Sequence, residues 1–267
     1  MITRAALASI IHRGMSSFST SPSIDDNVVV IFDFDWSLIN ENSDTYVFQI
    51  LRPDLLKTIQ DQWKTVDWTT LMDSSVGSLM RSGVTRKELS DCLHGIPFFQ
   101  ETFQSLRLAK DKGAKVFILS DANEYYISEI IGHHSLDHLI DQTITNFSEF
   151  ETLENGSEVL RIKPYQHPST PHGCRNCPIN LCKGICLESI IKRVGGRESI
   201  KKIVYVGDGG GDFCPCLALS PSDFICCRNN WTLHKKIRDS DSLVMAQCIP
   251  WSNGADLLHC FEDILNS

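Results

Sequence analysis

The chain has 267 residues, 42% of them hydrophobic, and a formal net charge of −8. This length and composition predict a folded protein with either one sizeable core and a smaller inserted module or two small domains. The acidic balance argues against a nucleic-acid-binding protein, which needs clustered Lys and Arg, and no apolar run is long enough to predict a membrane span.

Residues 1–24 differ in composition from the rest of the chain. They contain Arg4 and Arg13, many serines and no acidic residue. This composition is typical of a transit peptide, which predicts a mitochondrial or other organellar protein. The alternative is a disordered tail with translation starting at Met15, which places the protein in the cytoplasm. The chain has 11 cysteines but no secretory signal, so we expect a reducing compartment and mostly free thiols.

Four continuous apolar runs predict strands that are buried on both faces, as in a parallel sheet. They are Asn27–Phe32, Lys115–Leu119, Lys202–Val206 and Asp223–Cys227. Helical stretches at Thr102–Lys112 and Gly184–Val194 precede the second and third runs. Strands that alternate with helices imply right-handed crossovers, so we predict a Rossmann-like α/β core around a parallel sheet.

The hydrophobic period changes after the first strand. Between about residues 46 and 97 apolar residues recur at helical spacing, which predicts a helical insertion. We therefore assign residues 46–97 to a cap, and residues 25–45 and 98–267 to the core. A β-hairpin is predicted around Asn155-Gly156, and an amphipathic helix over Leu257–Leu265 is predicted to close the chain.

Polar and acidic residues directly follow three of the predicted strands. They are Asp33 and Asp35, then Ser120 and Asp121, then Asp208. In open α/β sheets the ligand crevice lies at the carboxyl ends of the strands. Acids from three separate regions of the chain are therefore expected to meet at one edge of the sheet.

Such a group of acids is suited to phosphate chemistry. A phosphate monoester repels an approaching anion, so a carboxylate nucleophile needs a cation and a proton donor beside it. We predict that Asp33 is a nucleophile that forms an aspartyl-phosphate. Asp35, two residues further on, is the candidate acid that protonates the leaving oxygen and then activates water.

The remaining parts of the predicted site come from later in the chain. Asp208 and Asp212 offer carboxylate oxygens to Mg²⁺, which prefers oxygen ligands. Lys183 is the candidate cation for the phosphoryl oxygens, and Ser120 and Ser37 could donate hydrogen bonds to them. The glycines between the two later acids allow a sharp turn beside the metal.

In this order the residues resemble the four motifs of the haloacid dehalogenase-like (HAD) phosphatase superfamily. The motifs are Asp33-x-Asp35-x-Ser37, Ser120, Lys183 and Gly207-Asp208-x-x-x-Asp212. The first motif of that family normally ends in Thr, and Ser37 keeps the hydroxyl. The resemblance spans about residues 27–265. It implies a type-1 cap after the first motif, and Mg²⁺ bound by the Asp33 carboxylate, the Asp35 backbone carbonyl and Asp208.

A closer resemblance is to the phosphoethanolamine/phosphocholine phosphatase group. That group includes relatives described as pyridoxal phosphate phosphatases and plant relatives assigned to thiamine phosphate or pyrophosphate. The resemblance rests on Ser43-Asp44, on residues 119–123, on the cysteine-rich segment that ends at Lys183-Gly184, and on residues 207–215. It implies that Asp44 and Asp121 contact the substrate. The alternative for Asp44 is a helix N-cap.

These two acids add negative charge to a site that already has to admit phosphate. They favour a cationic leaving group, as in phosphocholine, phosphoethanolamine or thiamine monophosphate. Trp36 could lie against such a cation, or it could pack at the hinge of the cap. Pyrophosphate fits this argument poorly, yet relatives assigned to it resemble the chain at the same positions.

A cysteine-rich loop spans residues 167–183. Three of its cysteines, Cys174, Cys177 and Cys182, together with His172, could hold a structural Zn²⁺ in tetrahedral geometry. The alternative is a compact loop with reduced thiols. We expect Cys214, which follows the last acidic motif, to have a packing role.

Four other functions stay open from the sequence. A non-catalytic phosphoacceptor domain would also place acids at strand ends, but it would lack an acid such as Asp35 two residues after the nucleophile. A zinc-knuckle binding module is opposed by the net charge of −8. A pyrophosphatase or a phosphotransferase of the same superfamily would use the same residues. The physiological substrate, a small-molecule phosphate, and the oligomeric state are not fixed by these patterns.

Overall fold

The computed structural model describes residues 27–267. The transit-peptide interpretation of residues 1–24 lies outside the described residues. Within them, no helix combines the length and the apolar character that crossing a lipid bilayer requires.

A seven-stranded sheet runs through the centre of the molecule in the order β4-β3-β2-β1-β5-β6-β7. The strands are β1 (Val28–Phe32), β2 (Lys115–Asn123), β3 (Gln142–Thr152), β4 (Glu158–Lys163), β5 (Lys202–Gly207), β6 (Phe224–Arg228) and β7 (Gln247–Trp251). Neighbouring strands pair in parallel, except that β3 and β4 form an antiparallel hairpin. The four predicted strands, the parallel core and the hairpin around Asn155-Gly156 are confirmed.

The central strand β1 is buried along its whole length. Val28, Val30 and Phe32 join the hydrophobic core on one face of the sheet, while Val29 and Ile31 join the core on the other face. Because neither face meets solvent, the strand appears in the sequence as an unbroken apolar run. The edge strand β7 has the opposite character: it contains a proline and only one buried residue, so its sequence signal was too weak to predict it.

Helices cover both faces of this sheet. They are α1 (Ser43–Leu51), α2 (Pro53–Gln62), α3 (Trp68–Arg81), α4 (Arg86–His94), α5 (Gln100–Asp111), α6 (Glu124–His133), α7 (Lys183–Arg193), α8 (Phe213–Cys216), α9 (Thr232–Asp239) and α10 (Gly254–Asn266). Helices α5, α6 and α10 pack on one face, and α7, α8 and α9 pack on the other. The predicted Rossmann-like α/β core is therefore confirmed, with its closing helix.

Four helices, α1 to α4, separate β1 from α5, as the helical period predicted. The third of these helices, α3, is also hydrogen-bonded to the β3–β4 hairpin. Arg161 of β4 donates to the two carboxylate oxygens of Asp73 in α3 at 2.9 and 2.7 Å, and the backbone N–H of Ile162 donates to the same carboxylate at 2.8 Å. The helical insertion is thus anchored to the sheet at a point far from its chain connections.

The parallel register brings the carboxyl ends of three strands to one edge. Phe32 at the end of β1 pairs with Ile118 of β2 and with Val206 of β5. The polar residues that follow, among them Asp33 and Asp208, therefore leave the sheet side by side, as the sequence pattern predicted.

Candidate active site

Asp33 is the first residue after β1 and is only 8% exposed. Its Oδ1 accepts a hydrogen bond from the backbone N–H of Phe34 at 2.7 Å and lies 2.8 Å from Nζ of Lys183. Burial and the nearby Asp212 carboxylate raise the pKa of Asp33 well above its usual value, against the opposing effect of Lys183. The side chain is therefore held in one orientation at the floor of a buried, highly charged site.

The turn after Asp33 is held by a residue that the sequence analysis missed. Trp36 has a φ of 57°, a left-handed conformation that is uncommon for a bulky residue. Arg228, at the end of β6, donates to the carbonyl of Trp36 at 2.7 Å and to Oδ1 of Asn40 at 2.6 Å. Its guanidinium also lies 4.6 Å from the ring centroid of Trp231, which contacts the Trp36 ring. Arg228 thus stabilises the strained turn that carries the acids.

The Trp36 side chain lines the cavity but is already engaged by the protein. Its ring centroid lies 5.2 Å from that of Trp231 and 5.4 Å from the Arg228 guanidinium. These contacts favour the packing role over direct contact with a substrate cation, the two roles left open by the sequence.

Lys183 begins α7 and is paired with two acids. Its Nζ lies 2.8 Å from Oδ1 of Asp33 and 2.8 Å from Oδ1 of Asp212. Burial opposes its charge, but these two carboxylates outweigh burial and raise the pKa of Lys183 well above its usual value. The lysine is therefore a fixed positive charge beside the candidate nucleophile.

Asp212 is completely buried, and its two oxygens accept hydrogen bonds from four groups. Lys183 and the Tyr205 hydroxyl donate to Oδ1 at 2.8 and 2.7 Å, while the backbone N–H groups of Asp208 and Gly209 donate to Oδ2 at 3.2 and 2.9 Å. A Cβ at Gly207 would lie 2.7 Å from the Asp212 carboxyl carbon, so this fold of the loop requires a glycine there. Asp212 therefore positions Lys183 and the loop more than it offers a free ligand oxygen.

Asp33, Asp208 and Asp212 bring carboxylate oxygens within 4.8 Å of one another, and all three are buried. Burial and the charge of Asp212 raise the pKa of Asp208 to about 7. A donor set made of carboxylate oxygens is the kind that Mg²⁺ prefers. The residues present therefore fit a hard divalent cation, with Asp33 and Asp208 as the carboxylates that keep free oxygens.

The two serines of the predicted site have different surroundings. The Ser37 hydroxyl donates to Oδ1 of Asp208 at 3.1 Å and does not line the cavity, so it orients that carboxylate instead of facing a substrate. Ser120 is buried beside the cavity, where its Oγ accepts a hydrogen bond from the backbone N–H of Ala122 at 3.2 Å. Its own O–H can still donate into the cavity.

Asp35 is oriented by the start of the helical insertion. The backbone N–H of Ser43 donates to its Oδ1 at 2.9 Å. Burial raises the pKa of Asp35 to about 6, although the Ser43 hydrogen bond opposes the shift. A carboxyl with this pKa can be protonated near neutral pH and can also be ionised there, which suits an acid that later serves as a base.

Asp44 faces the cavity from α1, and Asn42 is the residue that caps this helix. The N-cap alternative for Asp44 is therefore wrong. The indole N–H of Trp68 in α3 donates to Oδ2 of Asp44 at 2.7 Å. Burial, and then the charge of Asp35, raise the pKa of Asp44 to about 8. Trp68 was not predicted as a site residue, since only the folded helices bring it to Asp44.

Asp121, near the end of β2, lines the same cavity as Asp44. Asn180, which lies just before Lys183 in the chain, donates to Oδ1 of Asp121 at 3.1 Å and to Oδ1 of Asn146 at 3.1 Å. Burial raises the pKa of Asp121. Asn180 and Asn146 thus fix this predicted substrate-contacting acid, and neither was identified from the sequence.

These residues enclose a cavity of about 200 Å³. Six carboxylates line it, from Asp33, Asp35, Asp44, Asp121, Asp208 and Asp212. Among the residues within 27–267 that line the cavity, Lys183 is the one cation. Cavities that hold drug-sized ligands measure about 300–1,000 Å³, so this site is suited to a small substrate.

A cluster of four cysteines lies beside the site, and its members differ from the predicted zinc ligands. The sulfur atoms of Cys174, Cys177, Cys182 and Cys214 lie within 4.8 Å of one another. His172 is not part of this group, because its Nδ1 accepts from the backbone N–H of Cys174 and its Nε2 lies 2.9 Å from the carbonyl of Pro178. The structure thus brings three predicted cysteines together and replaces His172 with Cys214.

Solved structures of phosphatases share this fold. The chain is similar to a substrate-bound phosphoserine phosphatase, with a TM-score of 0.56 and 14% identity over 87% of this chain and 97% of that chain. It is also similar to a HAD family hydrolase from Salmonella enterica, with a TM-score of 0.59 and 18% identity over 91% of this chain and 73% of that chain. At these identities the likeness establishes the HAD fold.

Curated relatives are closer in sequence. A thiamine phosphate phosphatase-like protein from Arabidopsis thaliana is 34% identical over 86% of this chain and 91% of its own length. Inorganic pyrophosphatase 2 from the same plant is 31% identical over 91% of this chain and 85% of its length. The human pyridoxal phosphate phosphatase PHOSPHO2 is 31% identical over 86% of this chain and 95% of its length.

The fold, the group of acids and these relatives define a HAD-like phosphatase, an enzyme that hydrolyses phosphoric monoesters. The model of the Putative Phosphatase family matches residues 28–265. The chain belongs to this family.

Proposed function

We propose that the chain is a Mg²⁺-dependent phosphatase that hydrolyses a small phosphate monoester with a cationic leaving group, through an aspartyl-phosphate on Asp33. The observation that carries the proposal is the buried group in which Lys183 pairs with both Asp33 and Asp212. A carboxylate buried at the end of a strand beside a fixed cation is placed to attack a bound phosphoryl group.

The covalent steps follow from the positions of two acids. An Asp33 oxygen attacks phosphorus, and the bond from phosphorus to the leaving oxygen breaks as that oxygen takes a proton from Asp35. Asp35, now a carboxylate, then removes a proton from water, whose oxygen attacks the same phosphorus. Inorganic phosphate leaves and Asp33 is regenerated. Lys183 stays charged throughout and offsets the negative charge on the phosphoryl oxygens.

Mg²⁺ would be held by the carboxylates of Asp33 and Asp208, with the backbone carbonyl of Asp35 as the further ligand implied by the family resemblance. When bound, it neutralises phosphoryl oxygens and so reduces their repulsion of an incoming carboxylate. Ser37 supports this role by fixing the Asp208 carboxylate, and Asp212 supports it by fixing Lys183.

The proton donor can be tested through the leaving group. An alkoxide needs a proton in order to leave, whereas p-nitrophenolate does not, so Asp35→Asn should lower kcat/KM about 10²–10⁴-fold for an alkyl phosphate and far less for p-nitrophenyl phosphate. With the wild type, the ratio of kcat/KM for the alkyl phosphate to that for p-nitrophenyl phosphate should fall, relative to the same ratio in Asp35→Asn, as pH rises above about 6. Asp35 loses its proton there. The phosphate groups of the two substrates titrate at different pH, and comparison with Asp35→Asn removes this contribution because the same substrates are used.

For Asp35→Asn this ratio should change with pH only as the phosphate groups of the two substrates titrate. Asp91→Asn, which changes an exposed carboxylate in α4, is the matched control and should keep the wild-type profile. An equal loss with both substrates would contradict the role of Asp35 as proton donor.

The preference for a cationic leaving group rests on charge. Six carboxylates and one lysine line the cavity, so when the acids are ionised even a bound divalent cation would leave the wall negative. The side-chain hydrogen bonds that Asp44 and Asp121 accept come from neutral groups, the Trp68 indole and the Asn180 amide. A positive group on the substrate would stabilise their ionised forms.

We expect Asp44→Asn and Asp121→Asn each to lower the preference for a cationic substrate roughly 10-fold, since a lost charge pair in a partly buried site is worth about 1–2 kcal/mol. The measurement compares kcat/KM for phosphocholine with that for 3,3-dimethylbutyl phosphate, which has the same shape without the charge. Asn at position 44 keeps an acceptor for the Trp68 N–H. Asp91→Asn is the control and should keep the wild-type ratio of the two kcat/KM values. If Asp44→Asn and Asp121→Asn also keep this ratio, the charge argument is wrong.

Inorganic pyrophosphate is the second candidate substrate, because relatives in Arabidopsis named inorganic pyrophosphatases are 31% and 33% identical to the chain. The negative cavity wall opposes a second anionic group. A panel of phosphocholine, phosphoethanolamine, pyridoxal phosphate, thiamine monophosphate and pyrophosphate separates the two candidates. The same panel, repeated with an acceptor alcohol, separates hydrolysis from phosphotransfer.

The organellar location is a further part of the proposal and depends on residues 1–24. Cell fractionation should find the full-length chain in an organelle and a chain started at Met15 in the cytoplasm. The same distribution for both chains would contradict it.

A further inference from the structure

Four cysteines that take no part in the phosphatase chemistry converge beside α7. Three of them, Cys174, Cys177 and Cys182, lie in or at the end of the segment between β4 and α7, and the fourth, Cys214, lies in α8. Their sulfur atoms are within 4.8 Å of one another, and all the cysteines of the chain are free thiols. We propose that these four thiols bind one structural Zn²⁺, which joins this segment to the acidic loop that ends at Asp212.

The spacing of the sulfur atoms fits a tetrahedral thiolate site. A Zn–S bond of about 2.3 Å places the sulfur atoms of a tetrahedron about 3.8 Å apart. The sulfur atoms are separated by 3.7 Å between Cys174 and Cys214, and by 3.9 Å between Cys182 and Cys214. The backbone N–H of Asn176 also points at the Cys174 sulfur, at 3.4 Å, as donors around metal-bound thiolates do.

The segment that carries three of the ligands has little else to hold it. Residues 164–182 form no helix or strand, and no residue from 163 to 179 is buried. Unstructured segments longer than about 12–15 residues are uncommon inside a folded domain unless they serve a function. A metal ion bound to four thiolates supplies the cross-link that hydrophobic burial does not supply in this segment.

The start of α7 is shaped to admit the fourth cysteine. A Cβ at Gly184 would lie 2.7 Å from the Cys214 sulfur, so a glycine is required for that sulfur to reach the cluster. Hydrogen bonds within the segment engage both ring nitrogens of His172, which makes the set four cysteines and not three cysteines with a histidine.

The site has a consequence for the phosphatase chemistry, and this part of the inference depends on the proposed function. Cys182 directly precedes Lys183, and Asp212 lies two residues before Cys214. Zinc would therefore join the two chain segments whose side chains form the buried Lys183–Asp212 ion pair. The ion would position Lys183 without touching the substrate.

Metal content tests the site independently of activity. Protein purified without chelator should contain about one zinc per chain by elemental analysis. Cys177→Ser and Cys214→Ser should reduce this to near zero. His172→Ala should keep it, and so should Cys248→Ser, which changes a similarly exposed cysteine outside the cluster. Wild-type protein reconstituted with Co²⁺ should show the thiolate-to-cobalt charge-transfer absorption of four thiolates, a readout that does not depend on any variant folding.

Three results would overturn the assignment. They are wild-type protein that contains no zinc and takes up no Co²⁺, a disulfide among the four cysteines in freshly purified protein, and loss of zinc in His172→Ala with retention in Cys214→Ser. Iron in place of zinc would overturn the identity of the metal. If zinc is present as predicted while Asp33→Asn keeps its activity, the zinc site stands and the proposed function fails.

Discussion

Replacing Asp33 by Asn should lower kcat for p-nitrophenyl phosphate by on the order of 10⁴-fold or more, because the variant has no carboxylate to form the covalent intermediate. The amide keeps an acceptor for the Phe34 N–H, so the turn after β1 should retain its shape. The pKa of Asp33 is raised well above its usual value by burial and by Asp212, so the ionised form is disfavoured in the folded protein. A neutral amide relieves that cost, and Tm should stay the same or rise.

The combination of lost activity and unchanged or higher Tm distinguishes a chemical role from a structural one. Asp91→Asn serves as the control with normal activity and normal Tm. Turnover by Asp33→Asn within about 10-fold of the wild type would exclude Asp33 as the nucleophile.

Withdrawal of divalent cations should abolish activity, and adding Mg²⁺ back should restore it. Three buried carboxylates and one lysine leave a binding site for a hard cation, and attack by an anion on a phosphoryl group is slow while its oxygens stay unscreened. Binding is also visible without substrate. At a Mg²⁺ concentration of 100 Kd the folded state gains about 2.7 kcal/mol, which raises Tm by roughly 5–10 °C for a chain of this size.

The matched variants are Asp208→Asn, which removes a candidate ligand, and Asp137→Asn, which changes an exposed carboxylate distant from the acids. Asp208→Asn should show no rise in Tm on addition of Mg²⁺ and should need at least about 10-fold more Mg²⁺ for activity. Asp137→Asn should behave as the wild type. Full activity in the presence of EDTA, with no Tm response to Mg²⁺, would contradict the metal requirement.

The core could be predicted because the burial of each central strand leaves a pattern within a short stretch of the sequence. β1 is buried on both faces, so it appears as an unbroken run of five apolar residues. The parallel register then places Asp33 and Asp208 side by side without further information. Two elements have weaker sequence patterns. The edge strand β7 is half exposed and contains a proline, and α8 has only four residues.

The partners of the acids were not predictable in the same way. Trp68 reaches Asp44 only because α1 and α3 pack together, and no spacing rule connects two residues 24 positions apart. Cys214 lies 32 residues after Cys182, and no second cysteine lies at zinc-finger spacing from it. The nearby His172 was therefore predicted as the fourth zinc ligand instead. Arg228 did leave a signal, because it directly follows a predicted buried strand at the same edge as the acids.

The covalent intermediate provides the most direct test of the central claim, that Asp33 attacks the phosphorus. Wild-type protein is mixed with Mg²⁺ and substrate, quenched with acid within the first turnover, digested and analysed by mass spectrometry. We predict one added phosphoryl group on the peptide that contains Asp33, located at that residue and absent from Asp33→Asn. A phosphoryl group on another residue, or an unmodified peptide during a turnover that shows a burst of released alcohol, would contradict the account.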